Sequence, residues 1–99
     1  MKKDIFNQYA DAIASMFRIP KEKLFIKNKA RDIVDARNLL YFVCSSRQMR
    51  LVTIQEYMAE EGYNISHTTI IHGIRRVHEQ IISDKDYLTS ISKIESCIH

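Results

Sequence analysis

The chain has 99 residues, 45% of them hydrophobic, and a net charge of +3. That length fits one domain over 1–99 with a compact core, and the mild basic excess, with a pI of about 9.0, suits a nucleic-acid partner without demanding one. No apolar run approaches a bilayer span, and the first eight residues lack a signal peptide's apolar region. Cys44 and Cys97 read as free thiols of a reducing compartment, so the chain is expected in the cytoplasm with no membrane contact.

Two glycines and one proline over this length leave few breakers, which predicts an all-α fold of five or six helices joined by short connections. The first helix is expected from Ile5 to Phe17, with Phe6, Tyr9, Ile13, Met16 and Phe17 on its apolar face. Pro20 ends it and opens a short turn in which Leu24 and Phe25 reach back to the core. A basic segment follows, containing Lys27, Lys29 and Arg31, without apolar periodicity. Asp32 is the expected cap of the next helix, whose Val34–Ser45 stretch is apolar nearly all round and therefore central. Arg37 and Asn38 fall in its early turns, and Arg47 and Arg50 mark its far end.

Thr53 and Glu56 have the spacing of a capping box for a short helix that turns Ile54, Tyr57 and Met58 inward. Gly62 is its natural stop. Ser66 then caps a longer helix whose stripe is Ile70, Ile74, Val77 and Ile81. At about 100° per residue, Thr68, Thr69, His72, Arg75 and Arg76 fall on the opposite face. That face has two hydroxyls, an imidazole and two guanidiniums, and no carboxylate before Glu79. Hydroxyls at a positive helix N-terminus suit phosphate oxygens, and arginines suit phosphates and guanine edges. An ordinary surface helix has the same amphipathic pattern. The short helix, glycine turn and long helix form a helix-turn-helix pattern over about 53–82. Tyr87, Leu88, Ile91, Ile94 and Ile98 outline a closing helix over about 86–98, which packs on the core or on a second chain.

Enzyme chemistry finds no support. There is no glycine-rich phosphate loop, the serines near Cys44 lack a glycine elbow, and the five-residue spacing of His67 and His72 points them to different helix faces. No cofactor, metal or catalytic residue is expected.

His67-Thr68-Thr69-Ile70-Ile71-His72-Gly73-Ile74-Arg75-Arg76-Val77 resembles the signature of the C-terminal DNA-binding domain of the bacterial replication initiator DnaA. That pattern runs Arg-Asp-His-Ser/Thr-Thr-Val, two residues on a frequent His or Tyr, then Ala and a basic pair. The stretch from Lys29 to Asn38 is similar to the family's basic loop and following helix. Thr53-Ile54-Gln55-Glu56-Tyr57 resembles its Ser-Leu-x-x-Ile segment, and the Ile5-to-Phe25 pattern its first helix and turn. The similarity covers about residues 5 to 82. It implies the Trp repressor/DnaA C-terminal fold and binding of double-stranded DNA.

The resemblance places Ser66, His67, Thr68, Thr69, His72, Arg75 and Arg76 toward the major groove, and Lys27, Lys29, Arg31, Arg37 and Asn38 toward flanking backbone or minor groove. For Arg37 an ion pair with Asp32 or Asp35 is the alternative; for Lys27 and Lys29 it is a solvated loop. Ile65 and Ser66 stand where the family has arginine and aspartate, and Asn38 stands for its glutamine. The ATPase domain of the initiators is not part of these 99 residues, which implies an accessory or phage-type factor in DNA replication, nucleoid-associated in the cytoplasm. Two other readings fit the same residues: a module that contacts replication or host regulatory proteins, and a transcriptional repressor that dimerises through the closing helix.

Overall fold

Helix 1 (α1) spans Lys2–Phe17 and starts three residues before its apolar pattern, with Asp4 in the first turn complementing the helix dipole. The computed structural model describes residues 2–96, and no strand occurs among them. Phe6, Tyr9, Ala10, Ile13 and Ala14 form the buried face of α1 at helical spacing. Met16, expected on that face, is 39% exposed. The helix ends ahead of Pro20: Arg18 adopts a left-handed φ of 56°, and Ile19 N–H donates to Ala14 O at 3.0 Å. Pro20 then precedes a short 3-10 helix, Lys21–Phe25, which buries Leu24 and Phe25 as expected.

Helix α2, Arg31–Ser46, is the centre of the fold and packs against both α1 and α4. Ala36, Leu39, Leu40, Tyr41, Val43 and Cys44 are at most 1% exposed. Burial pushes the Cys44 thiol and the Tyr41 phenol well above their ordinary pKa values. The expected Asp32 cap does not form, because the helix already begins at Arg31 after Ala30 and Asp32 lies inside its first turn.

Helix α3, Leu51–Glu60, buries Ile54 and Met58. Its start also corrects an expectation. Thr53 lies in the first turn, too late to cap, and its N–H donates to Arg50 O at 3.0 Å; no side chain caps this helix. Its end is as expected. Gly62 has φ 98°, its N–H donates to Ala59 O at 2.9 Å, and Tyr63 N–H donates to Met58 O at 3.0 Å.

Helix α4, His67–Ser83, follows, and then α5, Lys85–Ser96. The expected end of α5 near residue 98, with Cys97, Ile98 and His99, lies outside the described residues. Ile91 and Ile94 are buried and Tyr87 packs on the same core, while Leu88 is 50% exposed. The stripe of α5 is thus largely spent on packing against α1 and α4. Among the described residues no helix is long and apolar enough to cross a membrane.

Candidate nucleic-acid interface

The first turn of α4 is built on Ser66. Its extended backbone, φ −92° and ψ 164°, turns the chain into the helix, and its Oγ accepts from Thr69 N–H at 3.2 Å. The Ser66 and Thr69 hydroxyls also lie 3.2 Å apart. No acidic residue occupies the first turn, so the positive end of the helix dipole is not offset locally. Ile70, Gly73 and Val77 are buried, and Ile74 and Ile81 pack on the core as the stripe predicts. Ser66, His67, Thr68, Thr69, His72, Arg75 and Arg76 are all exposed. Arg76 Nη1 lies 3.9 Å from Glu79 Oε1 with both side chains more than half exposed, a pair too weak to hold the guanidinium.

The height of this face above α2 is set at Gly73. A Cβ there would lie 2.6 Å from Asn38 Oδ1 and 2.8 Å from Tyr41 Cδ2. The Asn38 amide can swing away, but the Tyr41 ring is 1% exposed and has no room. Gly73 therefore lets α4 approach α2 closely. Asn38, expected among the DNA-facing residues, is half-buried with its side chain against Gly73 in this crossing. Its contact is with α4 itself, which leaves it supporting the face from beneath.

The basic loop joins the 3-10 helix to α2. Lys27, Lys29 and Arg31 are exposed. Asn28 Oδ1 accepts from Ala30 N–H at 2.7 Å and tightens the loop just before α2. Arg31 reaches Asp35 at 3.8 Å, a long i,i+4 pair with the arginine side chain 81% exposed.

Arg37 departs from the expected role. It is 6% exposed. Its Nε donates to Leu24 O at 3.0 Å, and Nη2 donates to Ile26 O at 2.8 Å and to Asn28 O at 3.1 Å. Nη1 donates to the Tyr63 hydroxyl at 3.1 Å, and the guanidinium carbon sits 4.7 Å from the centre of the Tyr63 ring. These four bonds leave little of the fork for a phosphate. Neither Asp32 nor Asp35 is its partner; the charge is met by carbonyl dipoles and a phenol. In this arrangement the Arg37 guanidinium is spent inside the fold rather than offered at the surface.

No protein-family model matches the chain.

Two residues outside the expected set belong to this region. Tyr63, in the turn before α4, takes up the Arg37 guanidinium. Gln55 Nε2 donates to Ile65 O at 2.7 Å, tying α3 to the same turn, while the Ile65 side chain packs on the core. A sequence signal for Arg37 did exist. An arginine two residues ahead of a continuous apolar run, on the buried side of a central helix, must find buried acceptors. Nothing in the sequence indicates which ones.

Proposed function

We propose that this chain is a double-stranded DNA-binding protein of the DnaA C-terminal type, with α4 as the helix that enters the major groove and the 27–31 loop as its flanking basic element. One observation carries the reading. The exposed face of α4 begins at a capped helix N-terminus and presents two threonine hydroxyls, His72, Arg75 and Arg76 with no carboxylate before Glu79. Such a face offers donors and positive charge where phosphate oxygens and base edges need them. The exposed Lys27, Lys29 and Arg31 add a second cationic element, and Arg37 connects their loop to the turn that leads into α4. The resemblance to the initiator family supports a role in replication initiation or in its regulation.

Specificity differs from the initiators in this reading. Ser66 uses its hydroxyl as the helix cap, and Ile65 packs inward where the family has arginine. The chain then binds duplex DNA with little preference for the initiator box over a scrambled duplex. Ile65→Arg with Ser66→Asp supplies a guanidinium and a carboxylate, each able to discriminate bases by about 1–3 kcal/mol, and aspartate still caps the helix.

The test is an anisotropy titration on box and scrambled duplexes across a salt series, wild type against that double variant. Expected are a steep salt dependence for both proteins and a gain of box preference in the variant. Salt-independent or undetectable binding by the wild type ends the DNA reading and favours a protein-interaction module. Strong wild-type selectivity for the box assigns specificity to other residues. A dimeric repressor fits less well, because α5 packs its Tyr87, Ile91 and Ile94 on its own core.

A further inference from the structure

Lys27 and Lys29 stand on a stretch with no regular secondary structure between the 3-10 helix and α2. The loop's side chains bury little; Ile26, its one large apolar residue, is 50% exposed. Hydrophobic packing therefore does not position it. It is held from beneath at its carbonyls: Ile26 O and Asn28 O accept from the one guanidinium of Arg37, which also takes Leu24 O in the 3-10 helix just before the loop. The same group reaches across to Tyr63 in the turn that leads into α4. On the next position of α2, Asn38 lies against Gly73 of α4. Two consecutive residues of one buried helix thus touch the basic loop, the turn and α4.

We propose that Arg37 is a positioning residue that locks the 26–29 loop to the turn of the helix-turn-helix, so that the loop lysines and the α4 face meet one duplex as a single preformed footprint. This rests on the DNA-binding reading above. Arg37 contributes without touching DNA. It removes the ordering cost that a free loop would otherwise meet when its lysines settle on phosphates. A planar fork is required, because three carbonyls and a phenol spread around one side chain match guanidinium geometry. A lysine ammonium keeps the charge but presents a point donor that cannot span them.

The experiment is a double-mutant cycle read on duplex DNA across a salt series. Four proteins are compared: wild type, Arg37→Lys, Lys27→Ala with Lys29→Ala, and all three changes together. Urea unfolding and circular dichroism establish that each is folded. Arg37→Lys is expected to weaken binding roughly tenfold despite unchanged net charge. It should also flatten the salt slope by about one for each phosphate that the loop no longer neutralises. Without the loop lysines, Arg37→Lys should change neither affinity nor slope further. Additive effects in the two backgrounds would overturn the proposal, since they would mean that Arg37 acts on DNA independently of the loop. Arg37→Lys binding like wild type would overturn it too. Salt-independent binding by the wild type itself is the distinct failure, that of the DNA reading. If Arg37→Lys does not fold, Tyr63→Phe takes its place. It removes one acceptor and leaves the ring, and a weakening of about two- to threefold should vanish in the lysine-free background. Equal weakening, or none, in both backgrounds of Tyr63→Phe overturns the proposal.

Discussion

Two basic surfaces among the described residues, the exposed face of α4 and the loop before α2, are held in place in opposite ways. The α4 face needs no outside support for its local shape. Ser66 caps it, the i→i−4 ladder fixes its side-chain directions, and an apolar stripe glues its other side to the core. The loop has neither ladder nor stripe. It takes its shape largely from a side chain that lies beyond its own span: Arg37, inside α2, which reaches back to two loop carbonyls and to Leu24 O in the 3-10 helix before them. A helix surface built in the first way tolerates change at its exposed residues. A loop built in the second way depends on a residue outside it, and a single substitution there is expected to loosen charges it never touches.

Removing that residue gives the largest effect. Arg37→Ala should cost about 2–4 kcal/mol in urea unfolding, since it opens a gap and strips partners from loop carbonyls and Tyr63. A cost below about 1 kcal/mol would show that water replaces the guanidinium with little penalty and that the loop is self-supporting.

Next is the platform under α4. Gly73→Ala gains helix propensity of about 1 kcal/mol but places a methyl against the immobile Tyr41 ring. The net expectation is a destabilisation of about 1–2 kcal/mol by thermal and urea unfolding. A more stable variant would mean that α4 can lift from α2 at no cost.

The cap comes third. Ser66→Ala should destabilise by about 1 kcal/mol, and Ser66→Asp should retain most of the wild-type stability, because the bond to Thr69 N–H is what the position supplies. Equal stability of the three proteins would mean that the cap does not determine where α4 begins.

The smallest change in stability is expected where charge alone is altered. Lys29→Ala with Arg31→Ala should shift unfolding by no more than about 0.5 kcal/mol, both side chains being exposed and the Arg31–Asp35 pair long. On DNA the same variant should weaken all sequences alike and lower the salt slope by about one for each phosphate left unneutralised. A parental slope would show that these residues do not face the phosphate backbone.

Periodicity and end signals in the sequence are enough for much of this. The all-α class, the central place of α2, the Gly62 stop, the Ser66 cap and the division of α4 into an apolar stripe and a cationic face all follow from residues within a few positions of one another. Such features depend on local backbone geometry, which neighbours in sequence decide. The starts of α2 and α3 do not follow in the same way. Asp32 and Thr53 have capping chemistry, yet each lies inside a first turn, because α2 begins after Ala30 and α3 after Arg50, two and three residues ahead of the expected caps.

What tertiary structure alone decided is the fate of polar groups that meet across the fold. Arg37 has the chemistry of a phosphate ligand and the location of a buried clamp, and its partners, Leu24, Ile26, Asn28 and Tyr63, come from two distant stretches. Ile65 and Asn38 likewise turn inward for reasons set by α3 and α4 rather than by their neighbours. A charged side chain on a buried helix must satisfy its donors. Which acceptors it finds depends on the distances between elements, and those exist only once the helices have packed.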